Sequence, residues 1–161
     1  MAADSQLIRH AGARHVDLGT FGARFLLTAQ HTGGAFSLLE HDVPPRTLAA
    51  PLHRHVHEDE FSVVLEGVLT VQLGENVYEA AIGDLILKPR GQWHTFWNAG
   101  AETCRFLELI SPAGFEKFFA DLMDDPEAMT GERAVALDAA YGLEVDYGSI
   151  AVLCERYGLS F

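Results

Sequence analysis

Between about Val16 and Ile110 the apolar residues come in short runs: "RFLLTA", "AFSLLEHDV", "EFSVVLEG", "VLTVQLG", "VYEAAIG", "LILKP" and "HTFWN". Gly, Pro or Asn interrupts them at intervals of roughly eight to twelve residues, the pattern of the strands of an all-β sandwich or barrel. Several turns can be placed from residue type. Gly33-Gly34 separates two apolar runs, Gly74-Glu75-Asn76 is a hairpin tip, and Gly83-Asp84 is the next corner. "DVPPRTLAAP" reads as a loop, because proline cannot donate to a central ladder.

After Ser111-Pro112 the chain turns to alanine, leucine, methionine and charged residues, which favour helix. In "GFEKFFADLMDD", Phe115, Phe118, Phe119 and Leu122 fall on one helical face. "TGERAVALDAAYG" and "YGSIAVLCERYG" predict two more short helices, each ended by a Tyr-Gly-Leu whose glycine can take the left-handed capping conformation. The expected layout is one domain, with a β-barrel over residues 16–112 and a short C-terminal helical extension over 113–161.

Composition narrows the function. At 161 residues and 48% apolar content the chain can build one substantial core. Eleven basic against twenty-three acidic residues give a net charge of −12, which repels nucleic-acid phosphates and anionic membrane surfaces. The N-terminal "MAADSQLIRHAGARH" lacks the apolar stretch of a signal peptide, and nowhere do about eighteen apolar residues run together, so we expect a soluble, cytoplasmic protein. Cys104 and Cys154 match no paired-thiolate spacing and are read as buried small hydrophobes.

The polar chemistry concentrates in "PLHRHVHEDEFSVVLEG". His53 and His55 leave the same face of a strand, and His57 extends the row. Glu60 lies an odd number of residues from His55 and can point back at the histidines only if the chain bends at "HEDE" and returns as an antiparallel strand. Pro89 and Gly91 break the ladder before His94, which opens another strand with Phe96 and Asn98 on its own face and Thr95 and Trp97 on the other. Imidazoles with one carboxylate suit a divalent transition metal, and the carboxylate favours iron, manganese, cobalt or nickel, with zinc or copper as alternatives. Local geometry does not choose between the pairs His53/His55 and His55/His57.

"His53-x-His55-x4-Glu60-x6-Gly67" and "Gly83-x5-Pro89-x-Gly91-x2-His94-x3-Asn98" resemble the two sequence motifs of the cupin superfamily, separated by fifteen residues. One position departs from the pattern: Thr47 stands where a glycine usually opens the first motif, in a loop and not at a ligand. The resemblance implies a double-stranded β-helix, a jelly-roll-like barrel, with His53, His55, Glu60 and His94 as metal ligands and His57 on the rim. Asn98 in such proteins supports structure. The tail, from "ISPAGFEKFF" to the last Tyr-Gly-Leu, is similar to that of small bacterial single-domain cupins related to quercetin 2,3-dioxygenase.

The function this implies is a metal-dependent, quercetinase-like dioxygenase acting on a small, oxygen-rich substrate, aromatic or not, with Glu60 also serving as general base. The alternatives are a metal-dependent isomerase or lyase on a sugar or keto acid, or a non-catalytic cupin that binds a small molecule. The isomerase reading needs cations in the pocket, for which Lys88, Arg90 and Arg105 are the nearby candidates. His10, His15, His31 and His41 are read as packed or solvated. Phe36, Trp93, Phe96 and Trp97 are read as core or mouth packing, and Arg54 as structural. An apolar stretch such as "ARFLLTA" would make an edge strand that a homodimer covers.

Overall fold

The computed structural model describes residues 5–125 and 131–161. Eleven of its strands lie before the tail: β1 (His15–Asp17), β2 (Gly22–Leu27), β3 (Ser37–Val43), β4 (Thr47–Leu48), β5 (Leu52–His55), β6 (Asp59–Glu66), β7 (Leu69–Leu73), β8 (Asn76–Ala80), β9 (Leu85–Lys88), β10 (His94–Asn98) and β11 (Cys104–Ser111). A four-residue helix, α1 (Ala29–Thr32), follows β2. The tail carries α2 (Glu116–Asp124), α3 (Gly131–Ala140), β12 (Leu143–Asp146) and α4 (Ser149–Tyr157). Thr130, the first residue of the predicted second tail helix, lies outside the described residues. Among those residues no helix is long and apolar enough to cross a membrane.

The strands form two antiparallel sheets, in the orders β1-β2-β3-β11-β6-β9 and β12-β5-β10-β7-β8, with β4 paired to β10. The architecture is a double-stranded β-helix. Alternation decides which side chains face inward: in β11, Cys104, Phe106, Glu108 and Ile110 are buried while their neighbours are half-buried. Leu39, Val43, Val64, Val71, Phe96 and Phe106 belong to the core between the sheets. A smaller cluster of Leu48, Trp97 and Leu153 lies outside the second sheet, where Trp97 stacks on Tyr157 of α4 at 4.6 Å. With both its faces covered, β10 is buried at all five positions.

Several expectations change here. "DVPPRTLAAP" is not wholly loop, because Thr47 and Leu48 pair with Asn98 and Trp97. The tail is not wholly helical either. β12 pairs with β5, setting Leu143 opposite His55 and Val145 opposite His53, and so extends the sheet. Four residues between two glycine-marked turns carry too little pattern to announce a strand. In the "ARFLLTA" segment β1 pairs with Ala23 and Arg24, so the start of the segment lies inside the sheet, between β1 and β3. The open edge on the far side is β9, whose Leu85 and Leu87 are exposed. Cys104 is buried as expected, whereas Cys154 is only half-buried at the margin of the smaller cluster.

The C-terminus is strapped to the barrel at Arg46. Its guanidinium donates to the carbonyls of Ala99, Tyr157 and Gly158 at 2.8–2.9 Å, while its own carbonyl accepts from Ser160 N. The two predicted glycine stops take left-handed φ, 65° at Gly142 and 63° at Gly158.

Candidate metal centre

His53, His55, Glu60 and His94 meet at one end of the barrel, all buried, with one donor atom from each lying within 4.8 Å of the others. The elements that bring them together differ from the simplest reading of the spacing. His53 and His94 are direct cross-strand partners on β5 and β10, with ring centroids 4.3 Å apart. Glu60, however, is not on a strand paired to β5. The corner at Val56–Glu58 carries the chain from one sheet to the other, so Glu60 faces the histidines across the barrel from β6. This corner is what makes the odd step from His55 to Glu60 converge.

The imidazoles are held in defined orientations. His53 Nδ1 donates to the Pro51 carbonyl at 2.7 Å and His94 Nδ1 donates to the Gln92 carbonyl at 2.9 Å. Since a carbonyl can only accept, these bonds place the protons on Nδ1 and leave Nε2 of both rings as lone-pair donors, the arrangement a metal requires. His94 Nε2 lies 3.1 Å from Glu60 Oε2, and His55 Nε2 lies 3.3 Å from Glu60 Oε1. Yet His94 Nε2 and Glu60 Oε2 are buried without an aligned hydrogen bond. Glu60 Oε2 already faces the Lys88 ammonium at 3.1 Å, whereas His94 Nε2 has no cation of its own, and a metal held between it and Glu60 would satisfy it. Donors at about 2.1 Å from one ion stand roughly 3–4 Å apart, so the observed spread fits a metal after small side-chain movements.

Electrostatics point the same way. Burial pulls His53 well below the usual imidazole range, reinforced by the His94 and His55 rings. Burial likewise lowers His94, against the opposing pull of Glu60. Burial alone would raise Glu60, but His55, Lys88 and His94 outweigh it and hold the carboxyl well below the usual carboxylate range. Neutral His53 and His94 beside an ionised Glu60 are the protonation states that ligate a metal.

Lys88 is the residue whose role sequence reasoning missed. Instead of gripping a substrate anion, its buried ammonium turns inward, 3.1 Å from Glu60 Oε2 and 2.7 Å from Glu108 Oε2. Ser62 donates to both oxygens of Glu108 at 3.1 Å. Burial, aided by Glu60, pushes Glu108 up to about 7 in spite of Lys88. Arg90 pairs with Asp59 at 2.8 Å, and Arg105 pairs with Glu66 at 2.7 Å and with Glu40 at 3.3 Å, so neither serves the site.

His57 stands apart from the cluster. It is exposed and lies against the loop after α3, where a Cβ on Gly142 would come within 2.7 Å of its ring. Glu58 is buried near His55, with its Oε2 3.7 Å from Nδ1 and both atoms unpaired. Asn98 donates to the carbonyls of Val43 and Glu102 and accepts from Gly100 N, which pins the turn after β10. Arg54 binds Glu144 of β12 at 2.6 Å and covers Trp93.

The donor set opens on a cavity whose other walls are mostly apolar, with Thr20, His41, Glu108 and Asp138 among them. Phe21 and Phe96 come from the barrel; Phe115, Phe118, Phe119, Leu122, Leu143, Val145, Tyr147 and Phe161 come from the tail. Among the described residues, Phe96 lines it while Phe36, Trp93 and Trp97 do not, and no lysine or arginine does. The phenylalanine stripe of α2 is legible in the sequence, but its destination depends on how the tail folds back.

Residues 39–110 match the model of the cupin domain family. The fold is similar to that of a polyketide cyclase, RemF, from Streptomyces resistomycificus, at 26% identity over 67% of this chain and 80% of that one, TM-score 0.59. It is also similar to a sugar phosphate isomerase of the cupin superfamily from Silicibacter pomeroyi, at 19% identity over 66% and 75%, TM-score 0.58. A predicted oxalate decarboxylase from Thermotoga maritima is 21% identical over 66% and 99%, TM-score 0.59. No curated protein sequence matches the chain.

Proposed function

From the match of residues 39–110 to the cupin domain family, we propose that the chain is a cupin and a metal-dependent enzyme of the dioxygenase type, acting on a small hydroxylated aromatic substrate. The observation that carries this reading is the pairing of a three-histidine, one-glutamate donor set with a cavity walled mostly by aromatic and aliphatic side chains and, among the described residues, lined by no lysine or arginine. His53, His55, Glu60 and His94 would hold a divalent ion, with iron, manganese, nickel or cobalt favoured by the mixed nitrogen and oxygen donors. Such an ion supplies Lewis acidity toward an enol or phenol oxygen and, if redox-active, reactivity toward dioxygen.

The chain's own residues do the rest. Glu60, ionised and the one carboxylate of the set, accepts the substrate hydroxyl proton. Lys88 and Glu108 sit behind it and keep its second oxygen in place. The phenylalanines orient a flat ring by edge and face contacts and keep water from the reacting end.

A second reading has its own support. The likeness to a polyketide cyclase favours a ring-forming reaction on a polyketide as the alternative. The sugar phosphate chemistry named for another similar structure fits less well, because among the described residues no lysine or arginine lines the cavity to meet a phosphate. Protein purified without chelators, and the stripped protein reloaded under argon with each of the four metals, is assayed with flavonols and catechols. Oxygen uptake coupled to substrate loss supports the dioxygenase. Turnover that persists under argon transfers support to the cyclase-like reaction, and oxygen inertness of every metal form overturns the dioxygenase reading.

A further inference from the structure

His41 looked in the sequence like an ordinary packed histidine. It points inward from β3, is 2% exposed, and is ringed by Phe21 and Phe106, each at 5.2 Å, and Phe119 at 5.4 Å. Its Nδ1 donates to the Gly22 carbonyl at 3.1 Å, which leaves Nε2 as an acceptor. Among the described residues nothing bonds that Nε2, and the ring lines the same cavity as His53, His55 and Glu60. The other polar residues of that wall are occupied: Thr20 donates to the Ala49 carbonyl, Glu108 binds Lys88 and Ser62, and Asp138 accepts from Tyr147. Burial pulls His41 down to about 4, so the ring stays a neutral acceptor in ordinary buffers.

An aromatic wall connects this acceptor to the donor set. His55 meets Phe115 at 4.3 Å, Phe115 meets Phe119 at 5.5 Å, and Phe119 meets His41 at 5.4 Å. A flat ligand lying along the wall can face one oxygen to the donor set and a hydroxyl to His41. We propose that His41 is a specificity-determining residue, whose Nε2 accepts a hydrogen bond from a ring hydroxyl of the aromatic ligand. The proposal rests on the substrate class argued above and adds what that reading lacks, a reason to prefer polyhydroxylated rings over bare ones. A phenylalanine at this position would pack as well and could not discriminate.

The test uses the full chain stripped of metal, so that its outcome does not depend on the ion. Binding of quercetin and of 3-hydroxyflavone, which lacks the other ring hydroxyls, is compared in the wild type, H41F and H41Q. The wild type is expected to prefer quercetin by about tenfold, as one buried hydrogen bond allows. H41F should lose that preference while still binding 3-hydroxyflavone and keeping the wild-type Tm; H41Q, which retains an acceptor, should restore part of it. The nitrogen resonance of His41 Nε2 should shift with quercetin and stay put with 3-hydroxyflavone. An unchanged preference in H41F, an unmoved Nε2 resonance, or no binding of either flavonol overturns the proposal. Elemental analysis of the unstripped protein tests the metal reading separately: no bound metal with His41-dependent selectivity intact overturns that reading and leaves this one standing.

Discussion

At one end of the cavity the working groups come from barrel strands β5, β6 and β10, and two of the three imidazoles are tethered to backbone carbonyls only two residues away in sequence. At the other end the rings of Phe115, Phe118 and Phe119 come from a helix outside the barrel, and hydrophobic burial holds them where they are. The polar end is set by short-range covalent geometry, so its residue spacing is rigid. The apolar end needs only rings of about the right volume, which many sequences can supply. The comparison teaches that the chemistry and the choice of substrate reside in separately built parts, and each can be broken without the other.

The largest expected effect is at the polar end. His53→Ala, His55→Ala and His94→Ala should each lose most bound metal by elemental analysis, while His57→Ala, altered outside the cluster, should retain it. Equal loss from His57→Ala with His53→Ala harmless would mean that the other histidine pair is the ligating one. Next comes Lys88→Met, which leaves Glu60 and Glu108 buried without their cation. We expect a loss of about 3–5 kcal/mol in denaturant titrations, and an added Glu108→Gln should recover part of it.

At the apolar end, Phe119→Ala removes a ring that packs on Phe21, His41 and Phe115. A destabilisation of about 3 kcal/mol is expected, with metal content unchanged. Metal loss on the same scale as in His53→Ala would erase the distinction between the two ends. The smallest effect is a difference in pH response. His41 takes up a proton near 6.5 when unfolded and near 4 when folded. Between those values the unfolded state binds more protons, so His41's contribution is complete above about 6.5 and is lost as pH falls toward 4, about 3 kcal/mol in all. His53 and His94 shift the same way, so in metal-free protein His41→Phe should flatten the acid limb of stability against pH without abolishing it. An unchanged limb would show that His41 ionises freely in the fold.

Much of the barrel was legible because its strands alternate and its turns carry glycine, proline or asparagine. Gly67, Gly74 and Gly83 take φ of 75°, 61° and 88°, a region ordinary side chains avoid, so their identity marks the corners. β12 was not legible, since "LEVD" becomes a strand only because β5 offers it an unpaired edge. The direction of Lys88 was hidden for a related reason. Alternation places it on the inner face of β9, but the carboxylates that receive it lie on β6 and β11.

By itself the sequence determined the identity and spacing of the four candidate ligands, the corner between His55 and Glu60, and the hydrophobic stripe of α2, because strand and helix periodicities act over a few residues. Tertiary structure alone decided that Glu60 faces the histidines from the opposite sheet, that the tail's rings wall the cavity, and that His41 opens onto it. Those relations join residues tens of positions apart, and burial together with sheet pairing, which carry no local signature, brings them into contact.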